Sequence, residues 1–148
     1  MYGKILVPVD GSETSKRGLA EACRLAKEQG AKLRCLFAID EHYLTANYMG
    51  FMYMPDLMDK LRENGKEILE EASEQARKSG VQVESVLRES AERRVSFMIL
   101  DEAKTWAADL IVMGTHGRRG LSHLALGSDA ESVVRDTHVP VLLVRSRA

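Results

Sequence analysis

Residues Leu110 to Val134 read L-I-V-M-G-T-H-G-R-R-G-L-S-H-L-A-L-G-S-D-A-E-S-V-V. An apolar run gives way to a loop that holds Gly114, Gly117, Gly120 and Gly127 with the basic pair Arg118 and Arg119, and a helical pattern resumes after Ser128 and Asp129. The order is strand, glycine loop, helix start. Glycine lets a backbone come close to a ligand with no Cβ in the way. A helix N-terminus offers unpaired N–H groups and a positive dipole end to an anion. The stretch therefore reads as a phosphate cradle in an α/β chain. It is neither a Walker A loop, which needs Gly-Lys-Ser/Thr after its glycines, nor the G-x-G-x-x-G dinucleotide fingerprint.

Outward from this stretch the chain alternates. Lys4 to Val9 is a short continuous apolar run, the mark of a strand covered on both faces. Asp10-Gly11-Ser12 turns the chain, and Leu19, Ala22, Cys23 and Ala26 follow at helical spacing up to Gly30, a C-terminal stop. Lys32 to Ile39 is a second buried strand. Leu57, Leu61, Ile68, Ala72 and Ala76 share one face of a helix ending before Gly80, with Gly65 a weak point on it. Val81, Val83, Ser85 and Leu87 alternate with polar residues, which suits a strand near a sheet edge. Val95, Ile99, Ala103 and Trp106 mark a third helix, and Asp109 to Met113 a fourth strand. Ala130, Val133, Val134 and Thr137 line the last helix, and Val141 to Val144 is the fifth strand. Such alternation requires a mainly parallel sheet with helices on both faces.

Two features stand apart. His42 to Met58 crowds Tyr43, Tyr48, Met49, Phe51, Met52, Tyr53, Met54 and Met58 with no clear period; it reads either as a loop packed back on the domain or as a lid or partner surface. Cys23 and Cys35 each sit in an apolar pattern, so buried thiols are expected rather than a disulfide, and they lack metal-ligand spacing.

With 148 residues the chain is expected to be a single domain, residues 1–148, large enough for a two-sided core. A formal net charge of −1 with mixed signs throughout gives no drive toward nucleic acid or an anionic membrane, and neither is an expected partner. No apolar run approaches the roughly 20 residues of a membrane span, and the opening Met-Tyr-Gly-Lys-Ile-Leu lacks a signal-peptide layout. A cytoplasmic location is the expectation.

Gly114-x2-Gly117-x9-Gly127-Ser128, I-L-V-P-V-D-G-S-E at Ile5 to Glu13, and P-V-L-L-V at Pro140 to Val144 together resemble the universal stress protein family in its nucleotide-binding branch. The resemblance runs end to end. It implies a Rossmann-like three-layer α/β/α fold with a five-stranded parallel sheet in the order 3-2-1-4-5. In an open parallel sheet ligands sit at the carboxyl ends of strands where connections diverge. That order brings Asp10, just past strand one, beside Gly114, just past strand four.

The resemblance further implies an adenine slot formed by the backbone around Pro8 and Val9 with Ile39 and Met113, and ribose and phosphate contacts at Gly114, Gly117, Gly127 and Ser128. Arg118 falls where a basic residue faces the phosphates. Asp10 either caps the first helix, or takes a ribose or adenine hydrogen bond, or holds Mg²⁺ or Mn²⁺ against the phosphates. Ser128-x-x-Glu131 is also a capping box that needs no ligand. Asp129 suits the helix dipole but departs from an apolar family position beside the phosphates. Ser90 departs from a family glycine, and Glu89 and Ser90 either cap the third helix or reach into the site.

The implied function is an ATP-binding, or more broadly adenine-nucleotide-binding, stress-response module with slow or no hydrolysis, dimerising through its last strand with a twin. Two alternatives remain. One is a metal-dependent ATPase or phosphotransferase using bound metal with Asp10 or His116, the histidine as a general base. The other is an interaction protein of the same fold that binds no nucleotide. No nucleophile elbow, H-E-x-x-H or kinase loop is present. ATP-cleaving synthetases of similar sheet carry S-G-G-x-D-S where this chain has D-G-S-E.

Overall fold

The computed structural model describes residues 1–41, 55–116 and 126–145. Five strands and four helices alternate through them: β1 (Lys4–Pro8), α1 (Glu13–Gln29), β2 (Lys32–Asp40), α2 (Pro55–Lys78), β3 (Val83–Ser90), α3 (Val95–Trp106), β4 (Leu110–Gly114), α4 (Ser128–Asp136) and β5 (Val141–Val144). The sheet order is β3-β2-β1-β4-β5, and every pairing is parallel. This is the order the family resemblance implies.

Because successive strand residues face opposite ways, the central strands feed two cores. Ile5, Val7, Leu33, Cys35, Phe37 and Val112 pack against Leu19, Ala22, Cys23 and Ala26 of α1 and Leu69, Ala72 and Ala76 of α2. Leu6, Leu36, Ile111 and Met113 pack against Ile99, Ala103 and Trp106 of α3 and Ala130 and Val133 of α4. Ile5 to Val7 and Leu110 to Met113 are all buried, which is why these stretches read as unbroken apolar runs.

The close seating of α2 depends on Gly65. A Cβ there would stand 2.7 Å from Phe37 Cδ1 and 3.0 Å from Leu87 Cδ1. What reads as a weak point in a helix is the place where the sheet's aromatic ring meets the helix backbone.

Details of the last helix differ from expectation. Ala130 and Val133 face the core, but Val134 is 43% exposed, and Thr137 lies beyond the helix as its C-cap. A helix of 9 residues at the end of the sheet has a narrow inner face, and Val134 falls on the outer one. Both cysteines are free and buried. Burial pushes the Cys35 thiol up to about 12 and raises that of Cys23 as well.

Candidate functional site

The connections diverge between β1 and β4, and both strands end there on residues without bulky polar groups. Past Pro8, the Val9 amide still donates to Leu36 O at 2.8 Å. The chain then turns at Gly11, with φ +85°, into α1. Ser12 caps that helix: its side chain accepts the Ser15 amide at 3.2 Å. Of the readings open for Asp10, the cap of α1 therefore belongs to Ser12. Asp10 Oδ1 accepts the Ser12 amide at 2.8 Å, and the Asp10 amide donates to Ser15 Oγ at 3.1 Å.

Across the gap, β4 ends at Gly114. A Cβ on it would lie 2.7 Å from Thr14 Cγ2 and 3.0 Å from the Thr14 carbonyl carbon, so the first turn of α1 rests on the bare backbone of β4. The Thr115 amide donates to Val144 O at 3.0 Å and Thr115 O accepts the Gly127 amide at 2.7 Å. These two bonds tie the start of the glycine loop both to β5 and to the residue that precedes α4. Thr115 Oγ1 and His116 Nδ1 are 3.0 Å apart.

At α4 the capping-box reading of Ser128 is corrected. Gly127 is the N-cap, in extended conformation, and as a glycine it makes no side-chain cap bond. Ser128 is already the first helical residue, so its hydroxyl is not placed to bond the Glu131 amide; that amide goes to Gly127 O at 2.9 Å. The opening N–H groups of α4 have no intrahelical acceptor.

These pieces enclose a cavity of about 190 Å³. Its apolar wall is made by Leu36, Ala38, Val95, Ile99 and Met113, and its polar wall by Asp10, Ser15, Thr115, His116, Ser128 and Asp129. Of the residues expected at the site, Pro8, Val9, Asp10, Met113, Gly114, Gly127, Ser128 and Asp129 all line it. The side chain of Ile39 belongs to the core on the α1 and α2 face instead, and β2 lines the cavity through Leu36 and Ala38. Gly117, Arg118, Arg119, Gly120 and His123, and residues 42–54 of the Tyr- and Met-rich segment, lie outside the described residues.

Glu89 and Ser90 do not line the cavity. Ser90 Oγ accepts the amides of Glu92 and Arg93, shaping the turn before α3, whose N-cap is Arg94 with no side-chain bond. Glu89 is gripped by Arg62 through two bonds, of 2.7 and 2.9 Å, which hold its carboxyl below the usual range.

Sequence reading missed Ser15, Leu36, Ala38, Val95 and Ile99. Val95 and Ile99 carry a signal, an i, i+4 pair opening the helix that follows β3, and Ser15 carries the Ser-x-x-Ser spacing of the α1 cap. Among the described residues no group of three His, Cys, Asp or Glu is placed to hold a metal ion, and no helix is long and apolar enough to cross a membrane. What the cavity offers is an apolar slot opening onto the Asp10 carboxylate on one side and, on the other, a helix N-terminus that carries Asp129 in its first turn. That suits a flat apolar group joined to a polar, anionic one.

Comparison with known proteins gives a consistent picture. The Universal stress protein family model matches residues 1–145. Universal stress protein YxiE of Bacillus subtilis is 36% identical over 151 positions, spanning 98% of this chain and 100% of that one. The solved structure of MJ0577 from Methanocaldococcus jannaschii aligns with a TM-score of 0.85 at 28% identity, covering 100% of this chain and 99% of the other. A universal stress protein in complex with cAMP is similar at TM-score 0.69 and 26% identity, with 97% of each chain covered. One from Archaeoglobus fulgidus in complex with dAMP reaches 0.70 and 25%, covering 97% of this chain and 98% of that one.

Proposed function

Because this chain belongs to the universal stress protein family, we propose that its cavity holds an adenine nucleotide, ATP in the first instance, and that the protein works as a nucleotide-dependent binding module with slow or no turnover. The observation that carries the reading is the joining of the β1 and β4 carboxyl ends in one cavity beside the N-terminus of α4. The apolar wall of Leu36, Ala38, Val95, Ile99 and Met113 takes the base. The first-turn amides of α4 take a phosphate, whose charge the helix dipole favours. The solved complexes of relatives with cAMP and dAMP support the base and a single phosphate. ATP, whose further phosphates the family resemblance assigns to Gly117 and Arg118, is the extension proposed.

Asp10 supplies one carboxylate to the cavity. A Mg²⁺ or Mn²⁺ ion at Asp10 would take its remaining ligands from phosphate oxygens and water, as Mg²⁺ commonly does. Dimerisation through β5 belongs to the same reading. Among the described residues β5 is an edge strand, and Leu142 on it is 37% exposed, which gives a twin strand an edge to join.

Titration calorimetry with ATP and Mg²⁺, on protein shown by mass spectrometry to be free of host nucleotide, tests the proposal. Micromolar binding that is lost in a folded Ala38→Phe variant, which fills the apolar wall, is the expected result. No binding up to millimolar ATP would overturn it.

One observation favours a second reading: His116 lines the cavity with Nδ1 3.0 Å from Thr115 Oγ1, a geometry open to a base that activates water. Steady ATP turnover abolished by His116→Ala would establish that hydrolase.

A further inference from the structure

The described lining of the cavity carries two carboxylates, Asp10 and Asp129, and neither a lysine nor an arginine. Asp129 stands where its charge matters most, in the first turn of α4, whose opening amides and dipole would receive a phosphate. It is half-buried, so solvent and salt screen it only in part. Glu131 shares that first turn, but it is exposed and does not line the cavity.

Magnitudes decide what this does to a ligand. A helix N-terminus is worth about half an elementary positive charge, and Asp129 brings a whole negative one to the same turn. The carboxylate and the dipole suit each other. A phosphate that arrives there gains the dipole and the amides but meets a like charge in the same cavity. The cost grows with the charge the ligand carries. It is absent for an uncharged nucleoside and greatest for ATP free of metal, and it falls when Mg²⁺ on the β- and γ-phosphate oxygens neutralises part of that charge.

Resting on the adenine-nucleotide reading above, we propose that Asp129 makes the cavity discriminate among nucleotides by phosphate charge, setting it against metal-free ATP and admitting ATP as its Mg²⁺ complex. Mg²⁺ arrives as part of the ligand. Asp129 acts through its field at the start of α4 and not through a hydrogen bond to phosphate, since an ionised carboxylate has no proton to donate.

Titration calorimetry on the full chain tests this with adenosine, ATP with Mg²⁺, and ATP with EDTA, in wild type, Asp129→Asn and Glu131→Gln, each checked for folding by thermal melting. Asparagine keeps the size of the side chain and removes its charge. Asp129→Asn should tighten metal-free ATP about tenfold, tighten the Mg²⁺ complex by less, and leave adenosine within about twofold. Glu131→Gln should leave all three within about twofold, because its charge lies outside the cavity. Unchanged affinity for metal-free ATP in Asp129→Asn would overturn the proposal, as would a weaker one, the sign that the carboxylate serves the phosphate through a cation of the glycine loop. Equal gains with and without Mg²⁺, or an equal gain for adenosine, would overturn it by showing no dependence on ligand charge. The same gain in Glu131→Gln would assign the effect to the helix end as a whole and overturn the role of Asp129. Wild type that binds none of the three ligands would instead overturn the nucleotide reading, and this inference with it.

Discussion

Gly114 and Thr14 touch where a side chain would collide: a Cβ on Gly114 would lie 2.7 Å from Thr14 Cγ2. Gly18, one turn further along α1, lies against the same strand end, its own Cβ position 3.4 Å from the Gly114 amide nitrogen. The two glycines let the helix that follows Asp10 settle on the strand that precedes the glycine loop. Gly114→Ala should therefore destabilise the fold by about 1–3 kcal/mol through overpacking. It should also weaken nucleotide binding, because the wedge separates the two halves of the cavity. Urea denaturation and ATP titration on the same variant check both effects.

Gly65→Ala sets helix propensity against packing. Alanine would gain about 1 kcal/mol in a helix interior, but its Cβ would meet the Phe37 ring at 2.7 and 2.9 Å, and Phe37 is buried on every side. Overpacking of this kind costs about 1–3 kcal/mol. The expected outcome is a lower urea midpoint; a higher one would show that Phe37 and Leu87 give way freely.

Arg34 lies between two carboxylates, bonded to Glu84 Oε1 through Nε at 2.9 Å and to Glu102 Oε2 through Nη1 at 2.5 Å, with its guanidinium 4.6 Å from the centre of the Trp106 ring. Glu102 is buried. Arg34→Met should cost about 3 kcal/mol by leaving that charge poorly compensated, whereas Arg34→Met with Glu102→Met should recover much of the loss. Chemical denaturation of the single and double variants gives the comparison.

Two carboxyls contribute to the acid limb of stability. The Arg34 hydrogen bond holds Glu84 below its ordinary 4.5, and the Arg62 hydrogen bond does the same for Glu89. A group whose folded pKa is depressed stabilises fully above its unfolded pKa, and that contribution is lost as pH falls through the folded value. Melting temperature should thus hold steady from neutral pH down to about 5 and fall below about 4.5. The fall should be shallower in Glu84→Gln with Glu89→Gln, as calorimetric melting across pH would register.

Thiol chemistry offers a direct check on burial. With Cys35 pushed up to about 12 and Cys23 also raised by burial, little of either is thiolate at neutral pH. A disulfide reagent should label the native protein slowly and both thiols at once in denaturant.

The order of elements is legible in the chain because each β-α unit carries its own punctuation. Gly30 ends α1, and the apolar run after Pro140 coincides with β5. Sidedness is not legible in strands buried on both faces. Leu33, Cys35, Leu36, Phe37 and Ile39 are all apolar, so nothing in their chemistry says that Leu36 faces the cavity while Ile39 faces away from it. The start of α4 shows the limit of local motifs. Gly127 and Ser128 are both acceptable N-caps, and the spacing to Glu131 favours the serine, yet the helix begins one residue earlier, with Gly127 as its cap. Ser12 is legible only as a polar residue of the turn before α1, and Ser15 is not singled out; their hydrogen bonds with Asp10 depend on backbone geometry that residue types do not reveal.

β2 and β3 run side by side in register from Leu33 opposite Val83 to Asp40 opposite Ser90, although residues 41 to 82 separate them along the chain. Arg62 adds a grip on Glu89 and stands 4.0 Å from Glu41. The partnership of the two strands thus runs through their ladder and through α2. The protein is accordingly a candidate for division into two separately expressed polypeptides, one ending at Glu41 and the other starting at Pro55, that reassemble on mixing and report on that event when each carries half of a signal.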